Sequence, residues 1–237
     1  ILLYAASYAS NTSGVFKGFH HGWGGRTGTA LHRILGPLTL KPPVLLDAGR
    51  DHVATRRDAH ELAGSELTAA LGGRPDIVYL DPPYNQHPYG SNYHVLNTLV
   101  LWDKPALEVS TRVDGRTRNK AAIRTDWRTE RRSPHNHARQ AGAALAELVD
   151  RIDARRLLLS YSTDGHVPLE AVLGTLARRG AVQVIAEPYK RYRVSPSRPS
   201  PRPHTVEFVA VTDLEAAPCE GRVEELAAAV RGVGAGD

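Results

Sequence analysis

Four consecutive residues, Asp81-Pro82-Pro83-Tyr84, hold the clearest chemistry in the chain. They put a carboxylate, a carbonyl with no competing N–H beside it, and a phenol ring on one corner. The exocyclic amine of a nucleobase is a weak nucleophile, because its lone pair is delocalised into the ring. Two acceptors, the Asp81 carboxylate and the Pro82 carbonyl, can hold the amine so that its nitrogen pyramidalises and turns its lone pair to an electrophile. Tyr84 can stack on a base that has left its duplex, as base-modifying enzymes require. This is positioning and charge stabilisation, with no covalent intermediate. Pro83 would hold the turn. The plain alternative is a proline-rich turn after an ordinary strand.

The elements around this corner follow from pattern. Ile77 to Leu80 is a short apolar run with β-branched residues, which reads as a buried strand. Two prolines in a row have no N–H for the ladder, so the strand must stop at Asp81. The corner then lies beyond the strand's carboxyl end, where open α/β sheets bind ligands. Val44 to Ala48 and His52 to Thr55 are further short strand candidates. His60 to Leu62 begins a helical pattern, Ser65 to Leu71 continues it, and Gly72-Gly73 ends it. A helix is expected from about Ser91 to Trp102. Ala141, Ala144, Leu145, Leu148 and Ile152 fall at helical spacing within 137–152. Leu157 to Ser162 reads as a second buried strand, Leu169 to Arg179 as a helix, and Ala181 to Ala186 as a strand. Thr205 to Thr212 reads as the last strand, and Glu220 to Arg231 as an amphipathic helix. Tyr189 to Arg193 and the proline-rich 195–203 read as a loop that cannot be a strand interior.

Asp81 to Leu99, with Asp-Pro-Pro-Tyr-Asn-Gln-His-Pro-Tyr-Gly-Ser-Asn-Tyr, closely resembles the catalytic block of DNA adenine methyltransferases. The resemblance is to the Dam-like group, and within it to FokI-type modification methylases. It continues at Asn11 to Phe19, Leu157 to Ser162 and Tyr189 to Arg193. It implies an α/β fold of the class I methyltransferase (Rossmann-like) type and methyl transfer from S-adenosylmethionine (AdoMet) to the N6 amine of adenine in DNA. Asp81, Pro82, Pro83 and Tyr84 would be the catalytic set, with Asp81 and Pro82 also against the cofactor. An acidic residue after the strand preceding the catalytic one contacts the adenine of AdoMet in such enzymes. Asp58 with Ala59 fits by position; Asp58 is equally suited to cap the helix that follows. Ser160 to Ser162 would line the target pocket. Duplex DNA and a cognate restriction endonuclease are the implied partners.

These enzymes also carry a glycine-rich loop after their first strand and an acidic residue after their second. Neither is present here, so the expectation is an N-terminally truncated sheet with part of a target-recognition insert. The expected division is 1–43 as the remnant of target recognition, 44–215 as the catalytic core, and 216–237 as a C-terminal helix and tail.

Several polar groups suit DNA. Asn85, Gln86, Tyr89, Asn92 and Tyr93 could flank the extruded base or fill its place; a cap for the following helix is the alternative, expected for Ser91. Residues 112–132 hold eight cations (Arg112, Arg116, Arg118, Lys120, Arg124, Arg128, Arg131, Arg132) against three acids, a net +5 equal to that of the whole chain. A phosphate-contacting loop is favoured over solvated surface there. Lys190, Arg191 and Arg193 interleave with tyrosines, which also suits nucleic acid. Phe19, Trp23 and Arg26 of the glycine-rich stretch 18–28 could do the same. That stretch matches neither phosphate fingerprint.

Bulk properties bound the rest. The 237 residues have a pI near 9.5, which suits a polyanionic partner. One cysteine, Cys219, excludes an intrachain disulfide and a cysteine-rich metal site. His20 and His21 lack a second ligand pair, and no metal is expected. No run approaches a membrane span, so a soluble cytoplasmic protein is expected. The same corner would serve adenine in RNA or a cytosine amine; a DNA-binding remnant without catalysis is the third reading.

Overall fold

A computed structural model of the chain describes residues 42, 44–47, 49, 51–105, 112–113, 116–117, 124, 126, 132–190 and 204–234. The expected recognition remnant 1–43, apart from residue 42, lies outside them, as do Phe19, Trp23, Arg26, Arg118, Lys120, Arg128, Arg131, Arg191 and Arg193. The described chain falls into two units, one with residues 87–132, the other with 54–86 and 133–237.

The second unit is built on a mixed four-stranded sheet. Strand β1 (Ile77–Leu80) pairs in parallel with β4 (Arg156–Ser162). β6 (His204–Asp213) runs antiparallel to β4 on one side and to β5 (Ala181–Lys190) on the other. The spatial order is β1-β4-β6-β5. Three strands thus point one way, and their carboxyl ends share one rim of the sheet.

Apolar spacing explains the layer that covers it. Helix α5 (Ala141–Arg151) buries Ala141, Ala144, Leu145, Leu148 and Val149, the stripe read from the sequence. α6 (Leu169–Ala177) and α7 (Val223–Gly234) bury Leu173, Leu176, Leu226 and Val230 in the same cluster as Leu157, Leu159, Val182, Phe208 and Ala210. Arg179 donates to the Val149 and Ile152 carbonyls, satisfying the last turn of α5. On the other face Ile77, Tyr79 and Ile185 stay exposed, so no described residue of this unit covers it.

Several expectations change. The strand Ile77–Leu80, expected to be buried, has no buried residue, and Ile77 and Tyr79 are exposed. No strand forms among the described residues of 44–48 and 52–55, where Val44, Leu45, Leu46 and Val53 are all largely exposed. A strand needs a paired neighbour, and the described residues offer none there. The helix before β1 is two pieces, α1 (Ala59–Leu62) and α2 (Ser65–Leu71), because Gly64 takes φ 81° between them. β5 runs through Pro188 and Tyr189 to Lys190 rather than stopping at Ala186. It is an edge strand, where a missing N–H leaves no ladder bond unmade; Lys190 therefore ends a strand.

In the first unit the helix expected from Ser91 is split at Tyr93 into α3 (Tyr89–Asn92) and α4 (His94–Leu101). Ser91 is buried within α3, and neither helix has a side-chain cap. Arg112–Val113 (β2) and Arg116–Thr117 (β3) form a two-stranded ribbon.

Gly180, between α6 and β5, meets the sheet at close range. A Cβ there would sit 2.0 Å from the Asp213 carbonyl oxygen, whereas one at Gly174 in α6 meets nothing within 4 Å. Gly180→Ala should cost about 1–3 kcal/mol in urea unfolding. Gly174→Ala should be neutral or stabilise by up to about 1 kcal/mol, since alanine is the better helix former.

Candidate functional site

The strand register builds the corner. β1 pairs Leu80 with Leu159, so the next residues along the chain, Asp81 just past the end of β1 and Ser160 within β4, come side by side. Ser160 Oγ donates to Asp81 Oδ1 at 2.8 Å, which fixes the carboxylate while leaving Oδ2 available. Asp81 is exposed and Pro82 is buried beneath it. No described residue donates to the Pro82 carbonyl. Of the two acceptors expected from the sequence, the Asp81 carboxylate is exposed, while Pro82 is buried.

Past Pro83, two consecutive carbonyls are pinned. The backbone N–H of His166 donates to Tyr84 O at 2.8 Å, and Asn136 Nδ2 donates to Asn85 O at 2.8 Å. Tyr84 itself is half-buried, with its ring edge-on to Tyr161 at 6.0 Å between centroids. Tyr161 is buried, stacks edge-on against Phe208, and accepts a hydrogen bond at its phenol oxygen from Val167 N. Burial pushes the Tyr161 phenol pKa up, against the opposing hydrogen bond from Val167, so the ring stays neutral. Gly165 makes this packing possible: a Cβ there would lie 2.3 Å from the Tyr161 ring. Tyr161 falls within the Ser160 to Ser162 segment expected to line the target pocket, whereas the sequence reading missed Asn136, Gly165 and His166. The serine-proline pair at 133–134, a helix-start signal, was the one available hint to Asn136.

Asp58 stands as the N-cap of α1, its Oδ1 accepting from His60 N at 2.8 Å. That is the capping role weighed beside the cofactor role, and it leaves Oδ2 for another donor. Asp58, Glu61 and Glu147 line a cavity of about 600 Å³ with Pro134, Ala143 and Ala144. His60, Arg139 and Gln140 complete the lining, so the cavity holds a cation and hydrogen-bond donors as well as carboxylates. Among the described residues no glycine-rich loop offers itself to the methionine end. Within this unit His60 Nε2 faces His135 Nε2 at 3.3 Å. Burial, then the neighbouring His60, holds the His135 pKa below its usual range, with Asp58 opposing. Among the described residues no three ligand-type side chains converge as a metal site would require, and no helix is long and apolar enough to cross a membrane.

The residues suited to DNA divide by unit. Asn85 and Gln86 continue the pinned corner. Tyr89 and Tyr93 stand edge-on to each other at 5.5 Å in the other unit, both substantially exposed. Arg124 is a correction. Its guanidinium is largely buried, bonded to Asp103 and Asp126 at 2.7 Å each, and these carboxylates hold its pKa up despite desolvation. It is a strut between loop segments, already neutralised, and so unsuited to a phosphate.

Comparison with known proteins agrees with the motif. Residues 53–139 match the family described as D12 class N6 adenine-specific DNA methyltransferase. The chain is similar to the type II methyltransferase M.FokI of Planomicrobium okeanokoites, 29% identical over 90% of this chain and 30% of the relative. It is similar also to the modification methylase StsI of Streptococcus sanguinis, 28% identical over 81% and 26%. The type II methyltransferase M.NlaIII of Neisseria lactamica is 28% identical over 81% and 49%. The chain therefore spans between about a quarter and a half of the length of these relatives. No solved structure matches it. The resemblance read from the Asp81–Tyr84 block holds.

Two outcomes test this geometry. Because His135 is held neutral in the folded state, the unfolded chain binds more protons below about pH 6.5. Stability should be complete above that pH and fall as pH drops from 6.5 towards the lowered native value; in urea melts His135→Gln should flatten that slope. Gly165→Ala should displace the Tyr161 ring and shift near-ultraviolet circular dichroism, with the far-ultraviolet spectrum unchanged.

Proposed function

We propose that this chain is the catalytic portion of a site-specific DNA methyltransferase that transfers a methyl group from AdoMet to the N6 amine of adenine. Its sheet is read as part of the class I, Rossmann-like type, with three strands ending on the rim that carries Asp81. The observation that carries the proposal is the exposed Asp81 carboxylate, clamped by Ser160 just past the end of β1 and followed by the half-buried Tyr84 ring.

When bound, AdoMet supplies an activated methyl group on its sulfonium. The chain's residues do the rest. Asp81 Oδ2 and Pro82 O accept the two amine hydrogens, so the N6 lone pair is freed from the purine ring and aligned for in-line attack. Tyr84 stacks on the extruded base, its ring angle set by Tyr161 and its backbone by His166. Pro83 keeps the corner extended. Asp58 and Ala59 sit where the adenosine of the cofactor would lie. Asn85 and Gln86 in this unit, Tyr89, Asn92 and Tyr93 in the other, and the cations Arg112, Arg116 and Lys190 serve the duplex. The type II and modification names of the relatives support a cognate restriction endonuclease as partner.

Tyr84→Ala should lower turnover on duplex DNA by roughly 10²-fold while changing AdoMet affinity little, since its role is to hold the base in the reacting geometry. Asp81→Asn should abolish transfer with the fold intact. Equal loss of turnover and AdoMet affinity in Tyr84→Ala would mean that the ring serves the fold. Methylation of single-stranded RNA or of matched cytosine sites in preference to adenine in duplex DNA would redirect the assignment.

A further inference from the structure

A second cavity, about 330 Å³, opens beside the pinned corner, within the same unit. Gln86, Asn136, His137, Arg139, Gln140 and His166 line it. Every one of these side chains can donate a hydrogen bond, and no carboxylate is among them. Arg139 is exposed and has no ion pair among the described residues, although with Gln140 it also lines the neighbouring cavity that holds Asp58, Glu61 and Glu147. His166 Nε2 is buried and without a hydrogen-bond partner. A buried polar atom left unsatisfied calls for an explanation, and an acceptor-rich group in the cavity would supply one.

Two of these residues also tie the cavity to the corner. Asn136 and His166 are the donors to the consecutive carbonyls of Asn85 and Tyr84. Whatever fills the cavity therefore sits within one nucleotide's reach of the Tyr84 ring. A methylated base needs its backbone swung out and held there. Anionic oxygens meeting a guanidinium and amide and imidazole donors make short, charge-assisted bonds.

Resting on the reading of Asp81–Tyr84 given above, we propose that this cavity seats a DNA backbone phosphate adjoining the extruded nucleotide, with Arg139 as its cation and Gln86, His137 and His166 as further hydrogen-bond donors. The phosphate would fix the register of the strand against the corner and carry no sequence information.

Duplex DNA binding measured against salt concentration tests it. Losing one phosphate contact should lower the slope of log affinity against log salt by about one in Arg139→Gln, with affinity reduced alike on unrelated sequences. Arg139→Lys should keep the slope. Arg139 is exposed, so thermal unfolding should match the parent and exclude misfolding. An unchanged slope in Arg139→Gln, or a loss confined to one DNA sequence, would overturn the proposal. 2-Aminopurine fluorescence at the target position separates the two readings. If the parent extrudes the base while Arg139→Gln leaves slope and affinity unaltered, only the phosphate seat falls. If the parent binds no duplex DNA, both fall.

Discussion

One hydrogen bond, from the His166 backbone N–H to the Tyr84 carbonyl, does most to turn a loop into a site. Pro82 and Pro83 end the strand but offer no N–H of their own, so the corner cannot be secured from within. It is secured from outside. The turn after β4 reaches across to Tyr84, and Asn136, ahead of α5, reaches to Asn85. Ser160 holds the carboxylate on the other side. β4 with its following turn, and the segment ahead of α5, thereby constrain one short stretch, and the Ser160 contact depends on β1 and β4 keeping parallel register. Slipping that register by one residue would turn Ser160 to the wrong face and leave Asp81 without its partner.

The corner itself was legible in the sequence because its chemistry is local. A strand that ends in two prolines has few options, and the types at 81 to 84 name their own use. The stripe of α5 and the strands β4 and β6 were legible for the same reason, since burial on one face writes a period into the sequence. What was not legible depends on neighbours distant in the chain. Pro188 argued against a strand, and only the edge position of β5 reverses that argument. Val44 to Leu46 had the composition of a strand, but composition does not supply a partner. Arg124 belonged to a basic run that looked uniform; Asp103 and Asp126 set it apart. His166 acts through its backbone, which no side-chain reading could find.

The basic residues thus differ in kind. Arg124 is spent on carboxylates inside its own unit, and Arg74 and Arg155 pair with surface acids, Asp153, Glu215 and Asp76 among them. Arg139 is unspent. A count of charges would treat these alike, while affinity for a polyanion depends on the cations that folding has left unpaired. The sheet is uneven in a similar way. Helices cover one face, while Ile77, Tyr79 and Ile185 stay exposed on the other. Parallel strands are normally buried on both faces, so the described part of the chain builds and clamps the reactive corner without supplying everything such a sheet requires.

Amide hydrogen exchange at His166 probes the clamp on the Tyr84 carbonyl itself. If the Tyr84 carbonyl is held as described, the His166 amide, although it lies in a turn, should exchange as slowly as core-strand amides such as Leu159 and open only with the sheet. Exchange at the rate of an unstructured loop, with Leu159 still protected, would mean that nothing fixes the corner and that the account of a rigid seat for the target amine is wrong.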